Sequence, residues 1–195
     1  MTEAARKITP ADILPLKDYD ARRDALKRDL LPVKKNRRVE VGPFATFYFE
    51  NYATMWMQVQ EMLRIEKGGV EQVGGELEAY NPLIPQGDEL IATMMLEIED
   101  ADRRNRVLLT LGGIEETVFM EIGGDRIAAT PTEYEDRTTP DGKTSSVHWL
   151  RFKLSKEQIA RFRKERVVIG IGHRNYGHMA VLGEETKAAL AKDFT

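Results

Sequence analysis

The feature that most constrains this chain is a change of hydrophobic period at Arg38. Before it, DYDARRDALKRDLLPVKKNRR is densely charged with a thin apolar stripe, the pattern of a surface helix. After it, RVEVGPFATFYFEN alternates apolar with polar residues and is rich in β-branched and aromatic side chains. Gly42-Pro43 interrupts that run, so it reads as strand, turn, strand.

The helical arm has clear punctuation. Thr9 suits a helix cap, Pro10 the first helical position, and Asp12 a negative charge on the first turn. Ile8 and Ile13 are spaced as a hydrophobic staple. Pro15 is expected to end that first helix, and a second is expected from about Asp18 until Pro32 interrupts it.

Further along, Asn51-Tyr52-Ala53-Thr54 reads as a hairpin turn returning through MWMQV and then into a helix, QEMLRIEKGG. The stretch MWMQVQEMLRIE also fits a helix throughout, so residues 52–60 stay open between strand and helix. A short helix is expected near Val70–Ala79, weakened by Gly74-Gly75. DELIATMMLEIE is the cleanest strand, with Leu90, Ala92, Met94, Leu96 and Ile98 on one face and Thr93, Glu97 and Glu99 on the other. Asp100 starts a helix that stops at Gly112-Gly113, and TVFMEI and RIAAT flank a Gly123-Gly124 hairpin. After a polar loop, PTEYEDRTTPDGKTS, come strand VHWLRFKL, a helix capped by Ser155 with Gln158, strand RVVIGIG, and a helix near Glu184–Ala191.

Hairpins dominate and no βαβα rhythm runs through the chain. The expectation is an α+β fold: a mainly antiparallel sheet of about seven strands with five or six helices. A length of 195 residues suits a single domain. Within it, a helical arm over about 9–36 precedes a sheet-containing body over about 38–195.

Composition narrows the chemistry. There is no cysteine, which excludes disulfides, thiolate nucleophiles and cysteine-ligated metal. MTEAARKITP has no apolar core of a secretory signal, and no apolar run reaches a membrane span. Cytoplasmic residence is the expectation. A net charge of −3 gives no general attraction to nucleic acid or to an anionic membrane. The basic run KKNRR at 34–38 could meet phosphates, or could simply complement a helix C-terminus. Nothing opposes a homo-oligomer.

Any metal would have to use the three histidines and carboxylates. Alternation puts His148 on the apolar face with Leu150, Phe152 and Leu154, either as a core histidine with a partner or as a pocket ligand. His173 and His178 in GHRNYGH are five apart, which separates them by about 140° on a helix and onto opposite faces of a strand. Only a turn at Gly172 and Gly177 would converge them. With a carboxylate such as Glu61, the three histidines would suit iron, manganese or zinc. Glu61 and Arg64 are three apart on a helix, as a ligand-orienting pair or an ordinary ion pair. GGVEQVGG matches no phosphate-binding loop, and there is no GxSxG, triad or kinase signature.

The motifs FEN at 49–51, VQEMLRIE at 59–66, YNPLIP at 80–85, KTSSVHWLRF at 143–152 and the histidine pair at 173 and 178 recur in order along the chain. In these the chain resembles the bacterial family known as domain of unknown function 3501. The resemblance implies a small cytoplasmic protein often encoded beside rubrerythrin-like and iron–sulfur oxidoreductase proteins, hence an accessory role near redox or oxidative-stress chemistry. The motif positions it singles out are Glu61, Arg64, Tyr80, Asn81, His148 and Arg151, none with an established role. Three functions are therefore in view. The first is a non-enzymatic binding or accessory protein. The second is a His/carboxylate metal enzyme. The third is a module that binds a small anion through Arg64 and Arg151.

Overall fold

The alternation that begins at Arg38 builds strands, and the strands form two sheets. The structure, a computed structural model, describes residues 6–132 and 137–195. After a 3-10 turn at Pro10–Asp12, the chain runs α1 (Leu16–Lys35), β1 (Arg38–Val41), β2 (Ala45–Phe49), α2 (Tyr52–Glu66) and α3 (Gly69–Tyr80). It continues through β3 (Glu89–Leu96), α4 (Ala101–Leu108), β4 (Val118–Ile122), β5 (Asp125–Ala128), β6 (Thr130–Pro131) and β7 (Val147–Lys153). It closes with α5 (Lys156–Phe162), β8 (Val167–His173), β9 (Tyr176–Val181) and α6 (Glu184–Leu190). Four residues of the polar loop expected before β7, 133–136, lie outside the described residues.

The fold is α+β, with every strand pair antiparallel. One sheet has the order β1-β2-β3-β7-β6 and the other β5-β4-β8-β9. That makes nine strands among the described residues rather than about seven.

A single apolar cluster fills the space between the sheets. Phe47, Leu90, Met94, Leu150 and Phe152 come from the first sheet, and Met120, Ile122, Val167, Ile169 and Ile171 from the second. The outer face of the first sheet is covered too. Ile91 of β3 joins Met55 and Val59 of α2, Leu77 of α3, Leu83, Ile84 and Ile8 in a second cluster. Tyr19 and Leu30 of α1 pack with Met57 on the far side of α2. The layers therefore run sheet, sheet, α2 with α3, then α1.

This layering explains where the sequence misled. Residues 52–60 are helical, not a turn and returning strand. Asn51 caps α2 through its side-chain oxygen, which accepts from the Thr54 amide at 3.0 Å, while Thr54 Oγ1 accepts from the Asn51 amide at 2.9 Å. The same side-chain chemistry makes asparagine a turn former. Met55 and Val59 face the sheet while Met57 faces α1, so a helix buried on two sides imitates strand alternation. For the same reason β3 is buried on both faces, with Ile91 and Thr93 beneath α2.

Of the two prolines, Pro15 does separate a short first helix from the second, as expected, while Pro32 does not end the second. Pro15 sits at the N-cap of α1, where its missing N–H removes no helical bond. Pro32 lies inside the last turn of α1, which continues to Lys35.

The two sheets are joined at one edge by Tyr176 of β9. Its buried hydroxyl donates to the Val41 carbonyl at 2.7 Å and accepts from the amides of Phe44 at 3.1 Å and Ala45 at 2.9 Å. It thereby satisfies the turn between β1 and β2. Gly42 of that turn has φ +72, and a Cβ there would stand 2.6 Å from the His178 ring. Removing the hydroxyl takes one hydrogen bond from each of three backbone groups in this buried turn, each worth about 1 kcal/mol or less. We therefore expect Tyr176→Phe to lower the unfolding free energy by about 2 kcal/mol in urea titrations. A change below about 0.5 kcal/mol would show that the hydroxyl does not hold the turn.

Candidate functional site

Glu61 and Arg64 do not form a pair with each other. Both reach across to α1. Glu61 Oε1 accepts from the Tyr19 hydroxyl at 2.5 Å and Arg23 Nε at 2.7 Å. Its Oε2 accepts from Arg23 Nη2 at 2.8 Å and lies 3.0 Å from Lys27 Nζ. Tyr19, Arg23 and Lys27 are spaced by four on α1, so one helix face converges on one carboxylate. The Arg23 guanidinium, with the Tyr19 hydroxyl and Lys27, holds the Glu61 carboxyl far below the usual carboxylate range. Arg64 Nε donates to Asp20 Oδ1 at 2.6 Å. Both motif residues thus fasten α1 to α2.

Asn81 and Arg151 lie at the other end of the helical layer. The Asn81 amide clamps the backbone of Ile8, accepting from its N–H at 2.8 Å and donating to its carbonyl at 3.0 Å. Arg151 donates to the Pro82 carbonyl at 3.1 Å and stands 3.5 Å from Glu89. Tyr80 packs half-buried on the outer apolar cluster.

The histidines are dispersed. His148 points into the core, as alternation predicts, and is 1% exposed. Its Nε2 lies 2.9 Å from the Ser145 carbonyl, an acceptor only, so Nε2 carries the proton. Nδ1 then faces Glu115 Oε2 at 3.7 Å, too far for a hydrogen bond, and both atoms lack a partner. Burial lowers the His148 pKa, which the Glu115 charge only partly offsets. His173 and His178 belong to the β8–β9 hairpin, not a loop, with Ile171 opposite His178 and Tyr176 opposite His173. Glu61 is in the helical layer on α2. Among the described residues, no group of three or more His, Asp and Glu is placed to hold a metal ion.

A concave surface runs along α3. Val70, Val73, Gly74, Leu77, Glu78 and Asn81 follow helical spacing and share one face of that helix. The segment from Arg6 to Leu16, held by the Asn81 clamp, forms the opposite wall. The groove has two halves that meet at Pro10 and Gly74.

The half near the end of α2 is about 650 Å³, lined by Ile13, Leu14, Leu63, Val70 and Val73, with Lys67 at hand. Gln60 also lines it. The Gln60 residue is 2% exposed and its Nε2 has no hydrogen-bond partner. The other half, about 640 Å³, adds Arg6, Lys7, Asn81 and Arg151. Two motif residues, Asn81 and Arg151, are thus brought to one groove, while Glu61, Arg64 and the histidines lie outside it. Gln60 escaped sequence reasoning because its neighbours read equally well as strand or helix, although it lies within VQEMLRIE.

A buried acid also escaped. Glu50 follows the FYF run of β2 and faces outward beneath α2. Its oxygens accept from Thr93 Oγ1 and Thr54 Oγ1, each at 2.6 Å, beside a hollow of about 290 Å³ reached by Lys34 and Gln58. Burial raises its pKa, and the two hydroxyls only partly counter that.

The two glutamates therefore have opposite pH signatures. Glu61, lowered in the fold, contributes stability above its ordinary value of 4.5 and loses it as pH falls through the depressed pKa. Glu50, raised in the fold, contributes most below its ordinary value and loses that as pH rises through the raised pKa. In thermal melts across pH, Glu61→Gln should be less stable than the parent by about 1–3 kcal/mol at pH 7. Glu50→Gln should gain on the parent as pH rises. Parallel profiles for parent and variants would refute both assignments.

The family model described as "Protein of unknown function (DUF3501)" matches residues 7–194. No curated protein matches the chain significantly. Among solved structures, the chain is similar to a crystal structure of a "novel protein of unknown function" from Burkholderia pseudomallei K96243. The two are 33% identical with a TM-score of 0.90, over 97% of this chain and 100% of the other. No helix among the described residues is long and apolar enough to cross a membrane.

Proposed function

We propose that this chain, which belongs to the DUF3501 family, is a non-enzymatic binding protein that holds a small ligand in the groove along α3. The observation that carries this reading is the width of the groove at Gly74. A glycine inside a helix costs about 1 kcal/mol relative to alanine, and α3 carries two in succession. Neither Gly74 nor Gly75 has a positive φ, and a Cβ at either would meet nothing within 4 Å. Packing therefore does not require them. What the bare Gly74 backbone keeps is open space where the two halves of the groove meet. Volumes of this size fall in the range of pockets for small organic molecules.

Accessory service to rubrerythrin-like or iron–sulfur oxidoreductase partners is consistent with such a role and rests on the family resemblance alone. It demands no chemistry from this chain, only a bound ligand and a surface.

The test uses phenylnaphthylamine, an uncharged fluorophore that brightens in apolar surroundings. Wild-type protein should bind it saturably at one site. Gly74→Phe should abolish that signal while its melting temperature is unchanged or raised. Equal binding by the variant, or no saturable binding by the wild type, would overturn the reading.

A further inference from the structure

We infer that the groove along α3 takes a chain-shaped molecule with one negative charge at its end. The charged head lies at the Lys7 and Arg151 end, and the apolar tail lies among the aliphatic side chains of the other half. This assignment rests on the groove being a ligand site, as proposed above, and adds the class and orientation of the ligand.

The two halves of the groove differ in charge. Arg6, Lys7 and Arg151 bring three positive side chains to one half, against the carboxylate of Glu78 in its lining. Glu89 stands 3.5 Å from Arg151 and offsets part of this charge, although Lys153 also approaches Glu89, at 3.9 Å. Arg6 is partly engaged, donating to the Pro85 carbonyl at 3.4 Å. The exposed Lys7 side chain has no hydrogen-bond or ion-pair partner among the described residues. Its position is nevertheless fixed, because Asn81 clamps both the N–H and the carbonyl of the adjacent Ile8. A lysine held in the wall of a groove without a partner is a ready counter-ion for an anion that enters. The positive surplus is small, which suits a singly charged head such as a carboxylate better than a dianion.

The other half suits an alkyl tail. Ile13, Leu14, Leu63 and Val73 line it, and Val70 at its rim is 89% exposed. A chain laid there covers aliphatic surface that water now touches. Lys67 also lines this half, but as a single exposed cation that follows Glu66 in the chain. The more positive end is therefore the one at Lys7. Because the halves meet at Pro10 and Gly74, one molecule can occupy both. From Val70 to Glu78 the helix rises about 12 Å, the reach of an extended chain of about ten carbons.

Decanoate and decanol share such a chain and differ in the charge of the head. Their dissociation constants, and that of octanoate, are measured by displacement of phenylnaphthylamine from the full chain. Wild type is compared with Lys7→Gln and Lys7→Glu, which change an exposed side chain, and with Lys67→Gln. The decanoate-to-decanol affinity ratio should fall about threefold in Lys7→Gln and about tenfold in Lys7→Glu. Those factors are the scale of an exposed ion pair lost and then reversed. Lys67→Gln should leave the ratio unchanged. Wild type should bind decanoate about tenfold more tightly than octanoate, from two further methylenes covered.

A ratio unchanged in both Lys7 variants, with phenylnaphthylamine still bound, would overturn the anionic head and leave the groove as a ligand site. A ratio that falls in Lys67→Gln instead, or decanoate bound no better than octanoate, would overturn the orientation assigned to the ligand. Failure of the wild type to bind phenylnaphthylamine at all would overturn both this inference and the reading beneath it.

Discussion

The guanidinium of Arg37 is the contact on which the arrangement of sheets and helices most depends. It is 4% exposed and lies at the junction of α1 and β1. Its Nε donates to the Phe49 carbonyl at 2.8 Å and its Nη2 to the Glu50 carbonyl at 2.9 Å, at the end of β2. The same group reaches the Ala189 carbonyl at the end of α6 and pairs with Asp193. One side chain thus ties the start of the sheet, the entrance to α2 and the end of the described chain together. Planar and permanently charged, arginine can serve several carbonyls at once in a way that lysine cannot. The basic run at 34–38 is therefore divided in use, with Lys34 and Lys35 at the C-terminus of α1 and Arg37 built into the interior.

From that junction the position of the groove follows. Asn51 starts α2 directly after the carbonyls that Arg37 holds, and α2 lies across β3. Lys67, in the left-handed conformation, ends α2 and turns the chain into α3. The Asn81 clamp on Ile8 brings the amino-terminal segment alongside. The groove is the gap between a helix and a segment that are each fixed elsewhere.

How much of this was legible in the sequence depended on how many sides of an element are buried. β7 and the β4–β5 hairpin, with one face inward and a glycine turn, read correctly from alternation alone. His148 read correctly as inward-facing for the same reason. α2 lies between the first sheet and α1, and burial on both sides erased the contrast that periodicity needs over residues 52–60, whereas β3, also buried on both faces, read as the cleanest strand. With residues 52–60 open between strand and helix, the first half of α2 was not placed, so Glu50 and Thr93 beneath it and Gln60 at the edge of the expected helix did not stand out. β9 was hidden by its glycine and exposed residues, which resemble a loop until Tyr176 is seen reaching the β1–β2 turn. Glu61 and Arg64 were visible as charged residues on a helix, but a partner helix distant in sequence decides their roles.

The successive glycines of α3 also affect how the protein opens. Together they lower the helix's intrinsic stability by about 2 kcal/mol relative to alanine. Its amide protons should then exchange with solvent through a local opening well below global unfolding. Such an opening separates α3 from the amino-terminal segment while the cluster between the two sheets stays intact. Gly74, which widens the groove, and its neighbour Gly75 thus make one wall a door that swings without disturbing the frame.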